Sequence, residues 1–268
     1  MKKLFIITFL SCIQLITAQT LKGIVVNEHN EYIEYVDFGI VGKEKSFTSD
    51  SKGLFSIDVS SYKPTDSLYF THFNFHRKSI AIKDFTKTIT LKENAFELTP
   101  IVIDVNKSKL KTIKSKGMKV PGATASFSSI GEASDFFGMG DFVTLKHDYV
   151  AKELHTQYLF NNLKQVVFRL NFYKVEKNNA LTPLNEKPIY INFEPTKRKK
   201  DLVEQFSVNL PKGKIWIEFD IVEVAGNESA KIHFPISLSG GWIRYDRRFE
   251  KIPMGMGLSF EIKGYKAE

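Results

Sequence analysis

The sequence predicts an all-β protein built as two β-sandwich domains, on three observations. Short runs of alternating apolar and polar residues recur from Gln19 to Tyr265. Clusters of Gly, Asn, Asp and Ser separate them at turn-sized spacing, and no run carries a helical period. The 268 residues exceed the common single-domain size, and a basic stretch near the middle, poor in apolar residues, divides them. A composition of 43% hydrophobic and 25% charged residues belongs to a folded chain rather than a disordered one.

The chain opens with Met1-Lys2-Lys3, an apolar run from Leu4 to Leu10, and Leu15-Ile16-Thr17-Ala18-Gln19. A basic start, a short apolar run and a small residue at the cut are the layout of an export signal, so residues 1–18 are expected to be removed after Ala18. Ser11 and Gln14 interrupt the run, and no later segment approaches the ~20 apolar residues that spanning requires. The mature chain is therefore expected to have no transmembrane segment. Cys12, the only cysteine, falls inside the signal, which leaves neither a disulfide nor a thiolate nucleophile. Lipidation of Cys12 is the weaker alternative, because Phe9-Leu10-Ser11 departs from the Leu-small-small run such a site needs.

From Gln19 to Val105 the expected strands are Leu21 to Val26, Val36 to Val41, Leu54 to Val59, Ser67 to Thr71, Arg77 to Ile82, Thr88 to Leu91 and Glu97 to Val105. The clearest is the third. Phe55, Ile57 and Val59 alternate with Ser56, Asp58 and Ser60, so one face points inward. In the turn before it, Asp50 can accept a backbone hydrogen bond from two residues on, and Gly53 supplies the positive φ that lets the chain reverse without a steric penalty.

Ser49-Asp50-Ser51-Lys52-Gly53-Leu54-Phe55 resembles the hallmark of the carboxypeptidase regulatory-like domain: Thr-Asp, two residues, Gly, one residue, Phe. Ser49 stands where that pattern has Thr. Upstream, Gly23-Ile24-Val25-Val26, the polar turn Asn27 to Glu31 and the apolar run Val36 to Val41 match the opening of that domain. The resemblance covers about Leu21 to Val105 and implies a small transthyretin-like β-sandwich, a non-catalytic appendage of exported proteins of Bacteroidetes-type bacteria. Its motif fixes a turn, not a chemistry.

Residues 106–121 lose apolar periodicity and become rich in Lys, Ser and Gly, as a linker does. Residues 122–268 are again strand-like, with a jelly-roll-like double sheet as the expected form. Val166, Phe168, Leu170 and Phe172 alternate with Val167, Arg169 and Asn171. Ile217, Phe219 and Ile221 alternate with Trp216, Glu218 and Asp220. Each reads as a long strand with one inner face and one face in water. Further expected strands are Phe142 to Leu145, Lys152 to Leu159, Ile189 to Phe193, Glu204 to Asn209, Lys231 to Leu238 and Leu258 to Lys263.

The formal charge of +8 falls to +6 without Lys2 and Lys3. Its clusters, from Lys107 to Lys119 and over Lys197-Arg198-Lys199-Lys200, are expected to be a solvated linker and a solvated loop tip; contact with anionic lipid or glycan is the alternative. Nucleic acid does not suit an exported chain.

No His is followed by Glu at the His-x-x-Glu spacing of the metallocarboxypeptidases, and His-Glu-x-x-His is missing too, so no zinc peptidase domain is present. His72 and His76 are four residues apart, but Phe73 and Phe75 occupy the other alternation, which places the phenylalanines inward and the histidines in water. Ser49-x-x-Lys52, Ser60-x-x-Lys63 and Ser108-x-x-Lys111 match Ser-x-x-Lys without its companion motifs. Gly138-Met139-Gly140 and Gly255-Met256-Gly257 are too short for phosphate loops and suit strands that bend or approach closely. Glu218 and Asp220 would share a strand face at a spacing of roughly 6 to 7 Å, suited to a glycosidase pair, yet acids on the water face of a strand are commonplace.

The remaining candidate is the ligand-binding set Trp242, Arg244, Tyr245 and Asp246, following Gly240-Gly241. Ring faces beside Arg and Asp suit sugars; the competing account is that Trp242 or Tyr245 closes the core. The sequence thus predicts an exported, non-enzymatic binding or scaffolding protein, without a catalytic residue, metal or cofactor. Its partner is expected to be an envelope protein or a glycan, in the periplasm, at the outer membrane or outside the cell. A carbohydrate-binding module centred on Trp242 is the alternative.

Overall fold

The computed structural model describes residues 19–43, 45–94, 109–128, 138–245 and 248–267. Within them the fold is all-β, as the sequence predicts. The expected signal peptide 1–18 with Cys12, the expected strand at 97–105 and Asp246 lie outside the described residues.

The first seven strands are β1 (Thr20–Val26), β2 (Asp37–Ile40), β3 (Ser46–Thr48), β4 (Leu54–Asp58), β5 (Ser67–His72), β6 (Phe75–Ala81) and β7 (Thr88–Thr90). β1 lies between β4 and β7, antiparallel to the former and parallel to the latter; the second sheet has the antiparallel order β3-β2-β5-β6. Between them lies a core that includes Val25, Val36, Phe38, Phe55, Ile57, Leu68, Phe70 and Ile89. Phe55 and Ile57 point into it while Leu54, Ser56 and Asp58 are exposed, as the period-two pattern requires. The turn before β4 also forms as expected. Asp50 Oδ1 accepts the N–H groups of Lys52 and Leu54, each at 2.8 Å, and Gly53 has φ +71°. A Cβ on Gly53 would meet the Val25 carbonyl oxygen at 2.7 Å, so a second demand besides φ selects glycine there. Ser49 is buried and its Oγ accepts the N–H of Val36, a bond that any hydroxyl at this position can make.

The second sandwich comprises β8 (Lys111–Lys114), β9 (Met118–Ser128), β10 (Gly138–Leu145), β11 (Tyr149–Tyr158), β12 (Phe160–Asn161), β13 (Gln165–Val175), β14 (Leu181–Pro183), β15 (Tyr190–Asn192), β16 (Lys200–Leu210), β17 (Gly213–Ala225), β18 (Lys231–Leu238), β19 (Trp242–Arg244), β20 (Phe249–Lys251), β21 (Met256–Leu258) and β22 (Phe260–Lys266). One sheet runs β14-β13-β17-β10-β19-β20, with β15 also on β13. Opposite it lie the sheet β16-β11-β22-β8 and the set formed by β9, β12 and β21 on β18. Phe168, Leu170 and Phe172 of β13 and Ile215, Ile217 and Phe219 of β17 pack into one core with Leu154, Ile232, Phe234 and Phe260.

Three expectations change here. The part of the expected linker that is described, from residue 109, largely joins the second sandwich: β8 pairs with β22, and β9 pairs with β18. Lys114, expected in solvent, is buried, with Nζ 2.7 Å from Asp141 Oδ2 and 3.6 Å from the Phe260 ring centre. β9 has few large apolar residues because its side chains are half exposed along its length, and Pro121-Gly122 sits where its register against β18 breaks. Finally, β13 and β17 do not have one face in water. Val167, Arg169, Asn171, Trp216, Glu218 and Asp220 are buried as well, because the first sandwich and β19 cover the outer face.

Candidate functional site

Register assembles the site on that outer face. Arg169 of β13 lies opposite Asp220 of β17, and Asn171 lies opposite Glu218; Gly140 of β10 lies between Glu218 and Trp242, and Gly138 lies opposite Arg244 of β19. Alternation within each strand therefore places Arg169, Asn171, Glu218, Asp220, Trp242 and Arg244 on one side of the sheet. The two glycines of Gly138-Met139-Gly140 allow the close approach expected of them. A Cβ on Gly138 would come 2.6 Å from Glu218 Cγ, and one on Gly140 would collide with the Ile217 carbonyl.

Glu218, at 0% exposure, accepts hydrogen bonds from Arg244 Nε and Nη2 (the latter 2.8 Å), Trp216 Nε1 (2.8 Å) and Asn171 Nδ2 (3.2 Å). Burial alone would raise its pKa; the Arg244 charge and these donors outweigh burial and hold it below the usual carboxylate range. Arg169 donates through Nη1 to the Tyr35 carbonyl at 2.7 Å and through Nη2 to Asp37 Oδ2 at 2.8 Å and to Asp220 Oδ2. Two carboxylates share one guanidinium in a buried site. Burial first, and then the neighbouring Asp37 charge, push Asp220 up to about 8; burial raises Asp37 in spite of Arg169.

Glu218 and Asp220 were expected on a water face; both are buried and ion-paired instead. Engaged by two arginines, they are not free to act as an acid and a nucleophile on a sugar.

Tyr35 and Asp37 belong to the first sandwich, so Arg169 ties the two together. Tyr35 adopts φ +51°, uncommon for a non-glycine residue, and this turn carries its ring across the junction. Its hydroxyl donates to Glu223 Oε2 at 2.6 Å, its ring meets Tyr190 edge-on at 5.1 Å, and with Val167 and Val222 it forms a small apolar cluster.

Beside this junction lies a cleft of about 500 Å³, walled by Asp37, His72 and Arg77 of the first sandwich and by Arg169, Arg244 and Tyr245 of the second. Phe75, Phe249 and Leu181 supply apolar wall. His72 is 5% exposed, not in water as expected. A two-residue turn at Phe73-Asn74 reverses the chain between β5 and β6, so alternation does not continue through it; Phe73 is buried and Phe75 half-buried. His72 Nδ1 accepts the Asn74 N–H at 3.3 Å, and its pKa is held well below the ordinary value by burial and by the Arg169 charge. Among the described residues no three of His, Cys, Asp and Glu converge as a metal site would need.

Of the expected ligand-binding set, Arg244 and Tyr245 line the cleft. Trp242 does not. It is half-buried and meets Phe142 at 5.5 Å with the rings 81° apart, in a cluster with Trp216 and Phe249, so these rings make no flat platform. Sequence reasoning misses Arg169 and Asp37, and it places His72 in water rather than in the cleft wall. The signal for Arg169 was present: an arginine in the middle of an apolar strand, a residue type seldom buried without partners.

No family model and no curated protein matches the chain. Among solved structures it is similar to the clostridial cysteine protease Cwp84 after propeptide cleavage, at 12% identity and TM-score 0.38 over 83% of this chain and 52% of that one. It is also similar to a structure of infectious bursal disease virus, Gt strain, at 9% identity and TM-score 0.28 over 87% of this chain and 61% of that one. The chain thus spans about half to three-fifths of the length of these two neighbours, and at such TM-scores the likeness carries no argument about what it does.

Proposed function

We propose that this chain is an exported, non-catalytic binding protein of the bacterial envelope, whose ligand seats in the cleft between its two sandwiches. The observation that carries the reading is the cleft itself: both sandwiches wall it, and the buried Arg169 network that joins them lies at its edge. Clefts at domain junctions, with apolar walls and a few convergent polar groups, are where small ligands bind. In this reading the first sandwich is of the carboxypeptidase regulatory-like kind, supported by Asp50, Gly53 and Phe55 in their turn and strand, and the second is jelly-roll-like. Export rests on the layout of Met1 to Gln19.

Ala180 is exposed and lines the cleft, so Ala180→Trp fills it without disturbing either core. A thermal-shift screen of small molecules and glycan fragments on residues 19–268 should give stabilising ligands that Ala180→Trp abolishes and Trp242→Ala leaves intact. No stabilising ligand, or ligands indifferent to Ala180→Trp, would overturn the reading.

A further inference from the structure

The long strand β16 has a free edge. It ends the sheet β16-β11-β22-β8, and among the described residues no backbone hydrogen bond reaches it from any element but β11. At eleven residues it is about twice the usual strand length, and such an edge turns a row of unmet N–H and C=O groups outward. β9 is as long and is also paired on one side, but Pro121 and Gly122 interrupt it. β16 contains neither proline nor glycine, and its bulge against β11 falls at Phe206-Ser207, which leaves Lys200 to Gln205 in unbroken register. Beside this edge runs a groove of about 480 Å³, with Glu204 to Val208 on one wall and the segment 186–190 that leads into β15 on the other. It shares no lining residue with the cleft between the sandwiches.

Leu202, Phe206, Val208 and Leu210 turn toward the core, and Glu204 stands in the same row. Glu204 is half-buried, and its carboxylate has neither a hydrogen bond nor an ion pair among the described residues; burial pushes its pKa up. An inward-pointing charge guards an edge, because an apolar strand laid beside it strips its water and returns nothing. The same carboxylate admits a strand that brings a cation. We infer that β16 takes up an extended segment of a partner polypeptide as an added strand, with a Lys or Arg directly opposite Glu204 and apolar residues at the alternate positions beside it, against Leu202 and Phe206. Residues directly opposite on neighbouring strands share a face at about 4.5–5.5 Å between Cβ atoms, within reach of an ion pair. The free N–H and C=O groups of β16 supply the affinity, and the row of Leu202, Glu204 and Phe206 supplies the selectivity. Pro188 and Ile189 on the opposite wall close over the added strand.

The test is titration of the protein into fluorescent peptides, read by anisotropy: Thr-Val-Thr-Val-Thr-Lys-Thr-Val-Thr and its counterparts with Glu or Val in place of Lys. The Lys peptide should bind at least about tenfold more tightly than either counterpart, because a mismatched or unpaired charge in a desolvated contact costs that much or more. Glu204→Lys should reverse the order in favour of the Glu peptide, and Glu204→Gln should bring the Lys and Val peptides level. Amides of β16 should exchange their hydrogens more slowly with the Lys peptide bound, and Ala180→Trp, in the separate cleft, should leave its binding unchanged. No binding, equal binding of the three peptides, an order that Glu204→Lys does not move, or protection confined to residues outside β16 would overturn the inference. Sedimentation showing that the protein pairs with itself, and that Glu204→Lys breaks the pair, would overturn it too and give the edge to a second copy.

Discussion

Arg169→Leu is the most revealing single change, because one guanidinium serves both sandwiches. The substitution keeps most of the apolar stem and removes three acceptor contacts: the Tyr35 carbonyl, Asp37 and Asp220. At neutral pH Asp220 already holds its proton, so its loss is mainly that of a hydrogen-bond partner. Asp37 must become protonated or drag water into the junction, and the Tyr35 carbonyl is left without its donor. Breaking a buried ion pair from one side in this way costs about 3–5 kcal/mol. With a urea dependence of ~2–3 kcal/mol/M for a domain of this size, the midpoint should fall by about 1–2 M. Tryptophan fluorescence follows the second sandwich alone, since Trp216 and Trp242 both lie there, whereas far-ultraviolet circular dichroism follows both. The wild type should give one coincident transition by both probes, and Arg169→Leu two separated ones. Asp37→Asn supplies the second arm of a double-mutant cycle, with coupling expected well above the ~1 kcal/mol of an exposed pair. A midpoint within about 0.3 M of wild type, with the probes still coincident, would refute the account of a shared buried charge.

Gly138→Ala should destabilise by roughly 1–3 kcal/mol, because the new methyl group occupies the space of the Glu218 side chain; urea unfolding reads it directly. Stability should also depend on pH through Asp220, whose folded pKa of about 8 lies above its unfolded value. Between the ordinary carboxylate range and about pH 8 the folded chain binds a proton the unfolded chain has lost, so stability should fall as pH rises through that window. Asp220→Asn should flatten that fall, and an unchanged slope would place the buried proton elsewhere. Lys114→Met removes the partner of buried Asp141 and should cost roughly 3 kcal/mol, with faster proteolytic cleavage near β8 as the local readout.

The sequence made much of the fold legible because the fold depends on what a strand's own residues reveal. Phe55 and Ile57 alternate visibly, and Asp50 and Gly53 announce their turn whatever lies elsewhere in the chain. The site depends on partners far apart in sequence. A polar residue at every second position looks the same whether water or an arginine faces it, so Glu218 and Asp220 read as a solvated edge until Arg244 and Arg169 are placed against them. His72 fails for a different reason: alternation is informative only within one strand, and a hairpin turn lies inside the motif. β9 went unread because a strand with many exposed positions needs little apolar content, and Pro121-Gly122 marks a register break rather than an end.

The positions of the buried charges along the chain also impose an order of assembly. A chain synthesised from its N-terminus completes the first sandwich, with Tyr35 and Asp37 in place, before Arg169 exists. Glu218 is then made 26 residues ahead of Arg244, the cation it needs in order to leave water. The large sheet can therefore gather its apolar side early, through Phe168, Ile217 and Phe219, while its other side stays hydrated until β19 arrives. A chain interrupted before Trp242 would hold a finished first half beside a second half that lacks both the β19 covering Glu218 and the β22 that pairs with β11.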